Sequence, residues 1–86
     1  MPTISMFRGI KIYINWREHQ PPHFHATYGS SEVTVSIKDI EVLDGSMPNR
    51  QLKMLLGWAA LHMEELMENW QLAENKQELF QIEPLK

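Results

Sequence analysis

The stretch "REHQPPHFHATY", Arg17 to Tyr28, constrains this chain more than any other. Pro21 and Pro22 hold two consecutive φ angles at about −65° and remove two backbone donors, so Glu18 to Pro22 forms neither a helix interior nor a central strand. A rigid bend is predicted, with a strand starting directly after it. Within that strand His23 and His25 are two residues apart, which places both imidazoles on one face and Phe24 on the other. With Phe24 turned into the core, the histidines face outward. His19, on the near side of the bend, comes within their reach.

The flanking sequence supplies the rest of a sheet. "GIKIYINW" alternates Ile10, Ile12, Ile14 and Trp16 with Lys11, Tyr13 and Asn15, the period of a half-buried strand. "EVTVSIK" places Val33, Val35 and Ile37 on one face and follows "HFHATY" through "GSS", a short hairpin connection. "EVLDG" reads as a short strand ending in an Asp-Gly turn, and "PTISMF" as an added edge segment. Residues 1–45 therefore predict an antiparallel meander of three to five strands.

Near Met47 the period changes. Pro48 stands at a helix start, and Leu52, Leu55, Leu56, Ala59, Met63, Leu66, Met67, Trp70 and Ala73 share one stripe of a helical wheel. The expectation is an α+β fold in a single domain, residues 1–86. One long amphipathic helix over residues 47–75 lies across the sheet, and a tail follows over 76–86. Gly57 is unfavourable in a helix interior and predicts close packing or a bend there. Met54, Trp58 and Leu61 point away from the main stripe as a second apolar patch. Either a partner binds there, or the tail covers it with Leu79, Phe80, Ile82 and Leu85.

The chain has no cysteine, so a metal site here would draw on His, Asp or Glu. Residues 1–38 carry four Lys/Arg against two acids; residues 39–86 carry four against nine. The histidine half is thus the electropositive half, but its Lys/Arg are too sparse for the footprint of a strongly basic nucleic-acid binder. No apolar run approaches membrane-spanning length, which predicts a cytoplasmic protein with no membrane association.

Three readings of the histidines compete. As metal ligands, His23 and His25 would be joined by His19 or Glu18. As an acid–base pair beside Tyr28, His23 and His25, assisted by His19, would cleave RNA without metal, with Arg17, Arg8 or Lys11 stabilising the phosphate. As structural groups, they would satisfy the bend and a solvated strand face. His62, on the margin of the helical stripe, reads as a packed or capping side chain. Arg50, in the first helical turn, opposes the helix dipole and is a candidate contact for an acidic partner.

"MPTISMFRGIKIYI", "EHQPPHFHATY", "VLDGSMPNRQL" and "ENWQL…IEPL" together resemble the small prokaryotic family called domain of unknown function 4160. The family block falls on His19, Pro21, Pro22, His23, Phe24 and His25, with Arg50 and Trp58 matching the helical half. The resemblance implies a gene neighbour of the domain of unknown function 2442 type and the toxin role in a two-gene toxin–antitoxin module. It thereby favours the ribonuclease reading, with no cofactor. It also implies a small antitoxin-like protein partner contacting Arg50, Met54, Trp58 and Leu61, and leaves self-association open.

Overall fold

The structure, a computed structural model, describes residues 2–86, so Met1 of the expected meander lies outside it. Five strands, β1 (Thr3–Phe7), β2 (Ile10–Tyr13), β3 (His23–Tyr28), β4 (Ser31–Ser36) and β5 (Val42–Ser46), precede two helices, α1 (Asn49–Leu61) and α2 (Met63–Glu74). The strands lie side by side in chain order and every pair is antiparallel. Two-residue turns make this possible: Arg8 and Gly9, with φ of 51° and 78°, join β1 to β2, and Gly29-Ser30 joins β3 to β4. Such positive-φ turns match the right-handed twist of the strands they connect.

Alternation fills one face of the sheet. Ile10, Ile12, Phe24, Ala26, Val33 and Val35 are fully buried and form one core with Leu55, Trp58, Ala59, Leu66, Trp70 and Ala73 of the helices. The α+β class and the antiparallel sheet are as the sequence predicts. The single long helix is not: it breaks at His62, whose φ of −122° leaves the helical range and whose N–H bonds the Ala59 carbonyl. Neither proline nor glycine causes the break, and Gly57, exposed in α1, has nothing within 4 Å of where a Cβ would stand. Glu64 and Glu65 in the first turn of α2 favour a new helix start there, because carboxylates are stabilised at the positive end of the helix dipole. His62 Nδ1 pairs with Glu65 Oε1 at 2.6 Å across that turn.

Three further expectations change. Trp16 is not in the buried row, since β2 ends at Tyr13 and Trp16 is 48 % exposed. Trp58 is not a surface residue: it is 1 % exposed, and its indole N–H donates to the Glu83 carbonyl at 2.9 Å. The tail covers it, held by Asn69, whose side chain brackets Phe80 with bonds of 3.0 and 2.9 Å, and by Ile82 N–H on Ile4 O at 2.8 Å. Of the expected apolar patch, Leu61 stays exposed, Met54 is half-buried, and Arg50 lies exposed in the first turn of α1.

The third change is at Asp44-Gly45, which lies within β5 instead of forming a turn. The register shifts between Thr34↔Asp44 and Val35↔Val42, so Leu43 is an extra, bulged residue. Gly45 has φ of +81°, and a Cβ there would stand 2.1 Å from the Glu32 backbone oxygen. Gly45→Ala should therefore cost on the order of 2–3 kcal/mol, seen as a lower urea midpoint with an unchanged slope. A midpoint equal to wild type would show that β5 relaxes freely.

Candidate metal centre

Between β2 and β3 the chain forms a strap, Ile14 to Pro22, fastened at several points. Arg17 N–H donates to Ala73 O at 3.2 Å, Gln20 Nε2 donates to Glu74 Oε2 at 2.9 Å, and Pro22 O accepts from Ile37 N–H at 3.1 Å. The Gln20–Pro21 peptide bond is cis. The strap suspends Glu18 over the first residues of β3, where His23 and His25 share a face as the spacing predicts. They do not lie on an open solvated face, however. His23 is 3 % exposed, and its ring is 5.0 Å from that of Trp70, which α2 brings to the end of the sheet.

Both imidazoles turn Nε2 toward one carboxylate oxygen. Glu18 Oε1 is 2.5 Å from His25 Nε2 and 3.3 Å from His23 Nε2. The far nitrogens are also held. His23 Nδ1–H donates to the Pro21 carbonyl at 2.7 Å, and His25 Nδ1 is 3.2 Å from the Thr34 hydroxyl. Because a carbonyl oxygen can only accept, the neutral tautomer of His23 carries its proton on Nδ1. Its Nε2 then presents a lone pair toward the carboxylate oxygen.

The ladder aligns Tyr13, His25, Thr34 and Asp44 as successive cross-strand partners. Tyr13 stacks on His25 with ring centroids 5.0 Å apart and donates its hydroxyl proton to Glu32 Oε2 at 2.5 Å. Burial, helped by the hydrogen bond and charge of Glu32 and by the charge of Glu18, pushes the phenol up to about 12. Burial alone would raise the carboxyl of Glu18 as well. The hydrogen bond and charge of His25, followed by those of His23, outweigh it and hold the group below its usual range.

The phenol gives a signed expectation. With its folded value raised, Tyr13 leaves stability intact below pH ~10, the unfolded value, and lowers it as pH rises from there towards 12, because the unfolded chain releases the proton first. Ultraviolet titration of the folded protein should therefore show one tyrosine ionising near 12, and Tyr13→Phe should remove that step. A titration in which no phenol ionises late would contradict the burial of this hydroxyl.

A cavity of about 280 Å³ opens over the cluster, lined by His19, Gln20, Thr34, Leu43 and Asp44 besides the three convergent residues. Among the described residues, Glu18, His23 and His25 bring ligand atoms within 4.8 Å of one another. His19 reaches the cavity wall, but its ring stays 6.0 Å from that of His23, and Glu18 takes the third position.

The expected phosphate contacts are elsewhere, and none of Arg17, Arg8, Lys11 and Tyr28 lines the cavity. Arg8 donates to Lys86 O at 3.1 Å, Lys11 stands between Met6 and Thr27 in the sheet, and Tyr28, at the far end of β3, accepts from Gln51 Nε2 at 3.4 Å. Glu18 and Asp44 make the cavity wall acidic. Sequence reasoning missed Thr34, Asp44, Tyr13 and Trp70. For Thr34 the outcome hangs on turn length: the two-residue Gly29-Ser30 turn pairs Tyr28 with Ser31 and sets Thr34 against His25, whereas the three-residue connection expected from "GSS" sets Val35 there.

Fold and cluster together define a small α+β protein whose central strand starts with two histidines under a carboxylate. The chain belongs to the family described as Domain of unknown function (DUF4160), whose model matches residues 9–71. That span takes in the strap, β2 to β5, α1 and most of α2. No curated protein and no solved structure matches the chain. Among the described residues no helix is long and apolar enough to cross a membrane.

Proposed function

We propose that this protein binds one divalent transition-metal ion through Glu18 Oε1, His23 Nε2 and His25 Nε2, leaving a coordination position open to the cavity. One observation carries the reading: Glu18 Oε1, His23 Nε2 and His25 Nε2 converge within 4.8 Å of one another, with 3.3 Å between the carboxylate oxygen and the buried His23 Nε2, a gap that a divalent cation can fill in place of an imidazolium proton. That separation is also about the ~3.3 Å edge of a tetrahedron with bonds of ~2.0 Å. At the shorter His25 contact the Nε2 proton holds the cation's place, and an ion would widen that edge by roughly 0.8 Å on the same geometry.

The oxygens fixed on both Nδ1 atoms are the outer partners that metal-bound histidines require to set tautomer and ring orientation. Two imidazoles and a carboxylate suit zinc, iron or nickel, and an open fourth position is the pattern of catalytic sites more than of structural ones. An ion so held polarises a carbonyl or lowers the pKa of a bound water.

Metal-free cleavage of RNA by His23 and His25 is less well supported. An acid and a base for in-line displacement work on opposite sides of the phosphorus, whereas both Nε2 atoms here address one carboxylate, and the cavity wall is acidic. The deciding experiment is zinc titration of untagged, chelator-treated protein. It should give one ion per chain, with an affinity that falls as pH is lowered because protons compete for the ligand atoms. Substoichiometric zinc, or unchanged affinity in Glu18→Gln, overturns the reading.

A second reading rests on Leu61, 78 % exposed, with Met63 beside it at 38 %, where the two helices meet. It makes this junction the contact for the small protein partner that the family resemblance implies. A copurifying partner lost from Leu61→Glu but kept by His25→Ala would support it; retention by both would count against it.

A further inference from the structure

The two edges of the sheet differ. The β1 edge is occupied by the tail, through Ile82 N–H on Ile4 O at 2.8 Å and Gln81 Nε2 on Thr3 O at 2.6 Å. At the other edge no strand lies beyond β5 among the described residues, and all five residues from Val42 to Ser46 are exposed. Val42 and Leu43 leave 37 % and 48 % of their surface in solvent. The bulged Leu43 and its neighbour Asp44 also wall the cavity over Glu18, His23 and His25. A free row of backbone donors and acceptors therefore runs past the candidate metal position.

A free strand edge recognises another extended backbone, with pockets beside it reading the side chains. The cavity, about 280 Å³, lies under the ~300–1,000 Å³ of pockets that enclose a whole small ligand, so it fits one part of a longer chain. Bulges next to functional sites typically re-aim a side chain, and here Leu43 is the residue turned to the cavity. Asp44 stands two strands from His25, roughly 9.5 Å by the inter-strand spacing, a separation that suits contact with a metal-bound ligand better than with the ion itself.

We propose that the ligand of this site is an extended polypeptide segment that adds to β5 as a sixth strand and turns one residue into the cavity, against Leu43 and Asp44 and towards the open metal position. This rests on the metal reading above. The test separates the two. Zinc-loaded protein, its metal content measured on the same sample, is titrated with acetohydroxamate, which reaches only the open position, and with an acetylated Leu-Ala-Leu hydroxamate, which adds an extended backbone. A third probe is the same tripeptide with its amide nitrogens methylated.

The tripeptide should bind about tenfold more tightly than acetohydroxamate, the net worth of one or two backbone hydrogen bonds, and methylation should remove the gain. Leu43→Asp should weaken binding of the tripeptide by a larger factor than it weakens binding of acetohydroxamate, and an equal loss for both probes would count against the strand contact. Equal affinity of all three probes overturns this inference alone, whereas bound zinc that takes none of them overturns it together with the open coordination position. An equilibrium dimer through β5 that the tripeptide does not dissociate also overturns it. Protein that takes up no zinc overturns the metal reading and this inference together.

Discussion

Alanine in place of His25 should lower zinc affinity by more than ~100-fold while the protein remains folded. His25 supplies one of three convergent donors, and with it goes the 2.5 Å contact that holds the Glu18 carboxylate in place. Its side chain is 14 % exposed, and the substitution removes the Tyr13 stack and the contacts to Glu18 and Thr34, a loss of about 1–3 kcal/mol. Circular dichroism and a urea midpoint establish that the variant is folded, and calorimetry at matched pH gives the affinity. Thr34→Val should lose roughly 10-fold to 100-fold, because that hydroxyl orients the ring without touching the ion. Zinc binding by His25→Ala at wild-type affinity would remove His25 from the site.

Trp58→Ala should be the most damaging single substitution in the core, costing about 3–5 kcal/mol. The indole is 1 % exposed, lies 5.4 Å from Phe7 and 6.4 Å from Phe24 between ring centroids, and donates to Glu83 O. Truncation opens a cavity and leaves the tail carbonyl without its donor. In a small domain with one modest core, a loss of that size takes most of the net stability. The expected result is a largely unfolded chain at 37 °C by circular dichroism. Trp58→Phe, which keeps most of the packing, should stay folded with a smaller loss. If Trp58→Ala melts within a few degrees of wild type, the tail is not held through this residue. Loss of any binding partner on Trp58→Ala would report unfolding, not a surface contact.

Much of the sheet was legible because its rule is local. Alternation in "IKI", "HFHATY" and "EVTVS" fixes which side chains face the helices, and glycine-containing turns fix the pairing. The His23–His25 pair followed from the same period of two. Its third member did not, because Glu18 reaches β3 only through a strap whose path depends on anchors in α2, Ala73 O and Glu74. A pattern of spacings cannot weigh such contacts, and His19, as close in sequence, was equally eligible. The helix break was partly readable: "HMEEL" places two acids where a second helix would begin, though the same acids also read as a solvated face. The burial of Trp58 beneath the tail was one of two alternatives that local patterning left open, since the choice depends on Asn69 holding the last residues in place.

The bond between Ile82 and Ile4 joins opposite ends of the chain, and the neighbouring Gln81–Thr3 contact spans 78 residues. A growing chain emerges N-terminus first, so β1 can pair with β2 early, while its outer edge waits until the segment around Ile82 has been made. Until then two raw strand edges coexist on one small sheet, and unpaired edges invite association with other chains. The segment from Phe80 to Ile82 thus acts as a late-arriving clasp. A chain stalled or cut shortly before Ile82 keeps every strand and both helices and yet leaves the β1 edge as open as that of β5, which makes association through β1 the expected fault of such a truncation.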